Sequence, residues 1–244
     1  MRLLIGLIAG SILSLTSARF PFSSPPPQVL FANDASLDFR IPTIAESAAM
    51  ARRMMHFENL GNLATVFQSD AISDSLVSES RERGPVPKRL AGVPTGLLEY
   101  FADCEPETNN PTILAVTLAT AYKNAAAGSN VSLSIRWNIP NPRHHLLLTP
   151  AALPRFSLMG HLERIPLDEV EEKKIASCFV KAHPEAHIWL PGNDIHFSEF
   201  VRLVVDEVYW FGGFGDRSYI GWVPETVWRD VSMEDWQGAR LPGE

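Results

Sequence analysis

Residues 131–137 read VSLSIRW, and the fold turns on this stretch. Val131, Leu133, Ile135 and Trp137 fall on one side of an extended chain, with Ser132, Ser134 and Arg136 on the other. Strand side chains alternate between faces, so a period of two predicts a strand with one face in a core and one in solvent. Working outward, residues 155–165 (RFSLMGHLERI) repeat the pattern. Phe156, Leu158, Gly160 and Leu162 oppose Ser157, Met159, His161 and Glu163. Further strands are predicted at 62–68, 95–103, 112–118, 196–205 and 208–211, with a short one around Tyr219.

Helices stand before, between and after these strands. Thr43 with Glu46 forms a capping-box signature, and Ile44, Ala48, Ala51 and Met55 make an apolar stripe that Asn59 and Gly61 terminate. A single helix is predicted from Pro166 to Pro184. Its early turns carry Asp168, Glu169, Glu171 and Glu172, its later ones Lys173, Lys174 and Lys181, the order a helix dipole favours. Ile175, Cys178, Phe179 and Ala182 form its inward face. A last helix is predicted near 224–231. With about seven largely consecutive strands and no regular β–α alternation, the pattern predicts one mainly β domain, an antiparallel barrel with peripheral helices.

The chain has 244 residues, 45% hydrophobic and 20% charged, with a net charge of −7. That charge argues against nucleic acid as a partner, since phosphate backbones are met by basic surfaces. Arg2, the apolar run 3–15 and the small residues Thr16, Ser17 and Ala18 read as an export signal over 1–18. Proline-rich 19–41 reads as a flexible lead-in, and no second long apolar stretch predicts a membrane anchor. The expected compartment is secreted or lumenal. There Cys104 and Cys178 form a candidate disulfide, the alternative being two buried thiols. Asn130-Val131-Ser132 is an N-x-S sequon, so Asn130 is a candidate glycan acceptor.

The search for catalytic motifs yields little. There is no GxSxG elbow, HExxH helix, P-loop or CxxC pair. Gly212-Gly213-Phe214-Gly215 reads as a tight turn between strands. His183 and His187 are expected as solvated loop histidines, as are His144 and His145, and Asp206-Glu207 as a carboxylate pair at a turn.

Several blocks carry a resemblance. LPRFSLMGHLERI (153–165), CFVKAHPEAHIWLPGNDIH (178–196) and RLVVDEVYWFGGFGDRSYIGWVP (202–224) resemble the fungal branch of the CREG-like proteins. The segments AAMARRMMHFENLGNLATV (48–66) and DCEPETNNPTILAVTLATAYKNAAAGSNVSLSIRW (103–137) are similar to it as well. The resemblance spans roughly 42–231, leaving 232–244 as a C-terminal tail. It implies the split β-barrel of the FMN-dependent pyridoxamine-phosphate oxidases, in a secreted or endolysosomal (vacuolar) glycoprotein that forms homodimers and does without flavin. The implied role is non-catalytic, with a protein receptor or small-molecule ligand as partner. An FMN-dependent oxidoreductase is the alternative. In oxidases of this fold a hydroxyl stands two residues before a phosphate-binding lysine. Here Thr120 lies three before Lys123, so Thr120, Lys123 and Asn124 make a degraded version of that site.

Overall fold

The capping box at Thr43 works as the sequence predicts. In the computed structural model, which describes residues 40–69, 87–139, 149–215 and 217–244, Glu46 N donates to the Thr43 hydroxyl and Thr43 N donates to the Glu46 carboxylate, opening helix α1 (Ile44–Phe57). Arg40 and the Thr43 backbone hold the Glu46 carboxyl down at about 2. The α1 stripe of Ala48, Ala51, Met54 and Met55 lies against the core.

Six strands close on themselves: β1 (Leu60–Val66), β2 (Pro94–Ala102), β3 (Thr112–Val116), β4 (Val131–Arg136), β5 (Arg155–Arg164) and β6 (Ser198–Phe211). Every pairing is antiparallel, in the order β3-β2-β1-β4-β5-β6, and β3 pairs back onto β6 to complete the barrel. Strand β7 (Ile220–Val223) adds to the distal half of β6. The fold class is therefore the mainly β, antiparallel barrel with peripheral helices that the alternating stretches predict. Leu133, Ile135, Phe156 and Leu158 point into the core, while Ser134 and Arg136 face out.

Strand β6 departs from expectation. Residues 198–211 form one continuous strand where two were predicted on either side of a turn at Asp206-Glu207. The pairing jumps from Met159↔Glu207 to Gly160↔Val205, so Asp206 is the extra residue of a bulge and the chain bends without reversing. Both carboxylates stay in solvent, and Asp206 lies 3.4 Å from His161 Nδ1. Gly160 is required here: a Cβ would sit 1.9 Å from the Val204 carbonyl oxygen.

The helix predicted from Pro166 to Pro184 is two. Helix α3 (Leu167–Glu172) and α4 (Ile175–Ala182) are separated by Lys174 in the left-handed region, φ 54°. The break lets Lys173 reach Glu105 while Ile175 and Phe179 enter a second apolar cluster with Leu114, Ile165 and Phe200. Helix α2 (Thr120–Ala126) lies between β3 and β4. The tail expected at 232–244 is folded onto the domain. After α5 (Glu225–Arg229), Ser232 and Asp235 cap α6 (Met233–Gly238), Trp236 and Leu241 are buried, and Glu244 meets Arg53 at 2.7 Å.

Cys104 and Cys178 are bonded, S–S 2.04 Å, tying the loop after β2 to α4. The export-signal stretch, most of the lead-in, and His144 with His145 lie outside the described residues.

Candidate functional site

The solvent face of β1, β4, β5 and β6 carries a groove of about 600 Å³. Register builds its floor. Asn62 stands opposite Ser134, Ser134 opposite Ser157, and Ser157 opposite Tyr209, a row of outward polar side chains across four strands. The Ser134 and Ser157 hydroxyls are 3.2 Å apart. One step along, Arg136 stands opposite Arg155, and Arg155 opposite Phe211. The Arg155 guanidinium lies 3.8 Å from the Phe211 ring centroid. Leu60 and Leu98 form an apolar rim, with Leu98 69% exposed. Asn138 closes one end, held by Glu58 through its backbone N (2.6 Å) and its Nδ2 (2.7 Å).

The degraded cofactor site lies elsewhere, on α2. Asn124 is buried and its Nδ2 donates to the Thr65 hydroxyl at 3.0 Å, so its amide serves packing of α2 on the barrel. Thr120 and Lys123 are half-buried and engaged in interactions of their own. Between them Tyr122 is buried beside Glu99 of β2. Burial raises the Glu99 carboxyl, and burial together with the Glu99 charge pushes the Tyr122 phenol well above its ordinary value. A phosphate dianion needs converging donors and cations. One of the three candidate donors, Asn124, is turned away from solvent and spent on Thr65, so these residues do not converge on an FMN phosphate.

Of the histidines expected in solvent, His187 is exposed, but His183 is buried and its Nε2 lies 2.9 Å from the Phe101 carbonyl oxygen. That partner, 82 residues away, is what draws it inward. Asn130 is exposed, directly before β4. Among the described residues no cluster of three or more His, Cys, Asp or Glu is placed to hold a metal, and no helix is long and apolar enough to cross a membrane.

Two charged networks escape sequence reading. Arg52 of α1, with no exposed side-chain surface, donates twice to Asp103 (2.9 and 2.7 Å) and once to Asn109 Oδ1 (2.6 Å). Asn109 Nδ2 in turn donates to the carbonyls of Trp228, Arg229 and Val231. Burial works to raise the Asp103 carboxyl, but His56 and Arg52 outweigh it and hold it below the usual range. Glu105, fully buried, accepts from Lys173 (3.0 Å) and from Arg202 Nε (2.9 Å), locking the α3–α4 junction to β6. Both networks are structural supports beneath the barrel.

A closed six-stranded antiparallel barrel with an added strand on one end of its longest member defines a split-barrel protein. A model of the CREG β-barrel family matches residues 42–230, and the chain belongs to that family. Among solved structures, the heme-binding protein from Mycobacterium smegmatis is 19% identical with a TM-score of 0.52. It covers 78% of this chain, which spans 61% of that protein's length. A protein of unknown function from Agrobacterium tumefaciens is 20% identical with a TM-score of 0.49, covering 82% of this chain and 63% of its own. These likenesses concern the fold alone. No curated protein sequence matches the chain.

Proposed function

We propose that this chain is a secreted or vacuolar-lumen glycoprotein of the CREG family that forms a homodimer and acts by binding a protein or small-molecule ligand, without flavin chemistry. The observation that carries the reading is the state of α2. Asn124 is buried and committed to the Thr65 hydroxyl, so an FMN phosphate would find one of its three candidate donors spent on packing. Exposure of Asn130 at the head of β4 supports glycosylation, because a transferase reaches only accessible asparagines. The disulfide between Cys104 and Cys178 suits an oxidising compartment. Family membership supports the homodimer.

The test is expression through a eukaryotic secretory pathway. The protein is expected in the medium as a dimer by sedimentation, colourless in the flavin absorption range, and shifted on gels by endoglycosidase. A stoichiometric flavin band that survives gel filtration would instead favour an FMN-dependent oxidoreductase.

A further inference from the structure

Three pairs of adjacent basic residues occur in the chain, and the fold leaves one of them reachable. Arg52-Arg53 lies inside α1, with Arg52 wholly buried on Asp103, Arg53 tied to Glu244, and Met54, the next residue, without exposed surface. Lys173-Lys174 stands at the α3–α4 junction. There the Lys173 ammonium meets Glu105, Glu107 and Glu169 at 3.0, 3.2 and 3.4 Å, and Ile175 beyond the pair is fully buried. Lys88-Arg89 has neither constraint. It opens a single 3-10 turn (Lys88–Leu90) on the connection from β1 to β2, and the turn buries no residue. Both side chains are exposed, and among the described residues neither forms an ion pair. The turn is held by backbone hydrogen bonds from Leu90 N to Pro87 O (2.9 Å), Ala91 N to Lys88 O (3.3 Å) and Val93 N to Leu90 O (2.9 Å). Its base is pinned separately, where Phe67 N donates to Val93 O and Gly92 N donates to Phe67 O. The turn can therefore open without disturbing the β1–β2 ladder, and such surface turns are where local opening and proteolytic nicking concentrate.

We propose that the Arg89–Leu90 bond is a processing site for an endoprotease of the export pathway that selects paired basic residues through acid-lined pockets. The proposal rests on the reading of the chain as exported, which brings it to such proteases. Hydrolysis adds one water across the amide, leaving a carboxylate on Arg89 and an amine on Leu90, with nothing oxidised or reduced. A guanidinium and an ammonium free of ion pairs give up no partner when they enter carboxylate pockets, where both gain charge-assisted hydrogen bonds. Pro87, on the amino side of the pair, already has the extended backbone that a protease cleft takes up. The piece ending at Arg89 carries α1 and β1. It stays on the barrel through the ladders of β1 with β2 and β4 and through Arg52 on Asp103. The Cys104–Cys178 bond lies wholly within the other piece, so no disulfide crosses the cut. The product is a two-chain barrel held together without a covalent link.

The test expresses the full chain in a eukaryotic secretory host that carries a paired-basic endoprotease, and separately treats purified, uncut protein with that protease. Both should give two bands on a denaturing gel even without reductant, an amino terminus reading Leu90-Ala91-Gly92, and co-elution of the pieces on native gel filtration. Lys88→Gln and Arg89→Gln should each slow cutting about tenfold and the double variant about a hundredfold, one charge-assisted contact per pocket. Neither side chain is buried or paired, so the double variant should melt with wild type. Four results would overturn the proposal: export of the whole chain by the protease-bearing host, resistance of the purified protein, a new amino terminus at another position, or a cut undiminished in the double variant. Separation of the pieces on the native column would contradict the two-chain barrel. Treatment of purified protein reads the site apart from export, so a chain retained in the cell would refute the proposed function while the cut is still scored.

Discussion

Replacing Arg52 by methionine keeps the aliphatic bulk of the side chain and deletes its charge. In the folded protein this strips Asp103 of two short hydrogen bonds and leaves its carboxylate, with 4% of its side chain exposed, facing His56 alone. It also releases Asn109 Oδ1, the acceptor that orients an amide bonded to three carbonyls at the end of α5. Removing one partner of a buried ion pair costs about 3–5 kcal/mol. Domains of this size lose roughly 2–4 °C of melting temperature per kcal/mol, so Arg52→Met should melt about 6–20 °C lower. Near-UV circular dichroism during heating reads this directly.

Acid provides the second arm. Asp103 is held below its unfolded value, so its contribution is present at neutral pH and disappears as pH falls through the folded value. The gap between wild type and Arg52→Met should therefore narrow on acidification. Arg52→Met/Asp103→Leu, which removes both charges, should recover most of the loss. A single variant within about 1 kcal/mol of wild type, or a double variant less stable than the single, would refute the reasoning.

Four further outcomes are expected. Asn130→Gln should abolish the endoglycosidase-sensitive mobility shift and leave the thermal midpoint of the deglycosylated protein unchanged. Cys104→Ser/Cys178→Ser should lose about 4 kcal/mol in urea unfolding, the chain-entropy value for a loop of this length. Gly160→Ala should be destabilised beyond an ordinary surface change, because its new methyl meets the backbone of Val204; an unchanged urea midpoint would contradict the bulge. For Glu99, burial lifts the carboxyl above 4.5, so the folded state holds the proton more tightly than the unfolded. Stability from that group is full below 4.5 and lost as pH rises through the folded value. Glu99→Gln should thus melt higher than wild type at neutral pH, with the advantage vanishing in acid.

Much of the barrel is legible because its evidence is local. Val131 to Trp137 show which face is buried through alternation alone, and Thr43 with Glu46 announce a helix start within four residues. What fails depends on partners far along the chain. His183 looks like a loop histidine until the Phe101 carbonyl is brought to it, and Arg52 looks like a solvent-facing helix residue until Asp103 and Asn109 close over it. Asp206-Glu207 carries turn composition, but the bulge opposite Gly160 absorbs it within one strand. A left-handed Lys174 leaves no mark in composition at all. The facing of Arg136 and Arg155 is hidden for a related reason: each lies on an outward face that alternation predicts, but only strand register sets them opposite one another.

Calorimetric titration of FMN into the purified, disulfide-bonded protein tests the central claim most directly. A barrel whose α2 amide donor, Asn124, is buried and spent on packing should give no saturable heat. A one-to-one isotherm abolished by Lys123→Ala would contradict the account and make this chain a flavin protein.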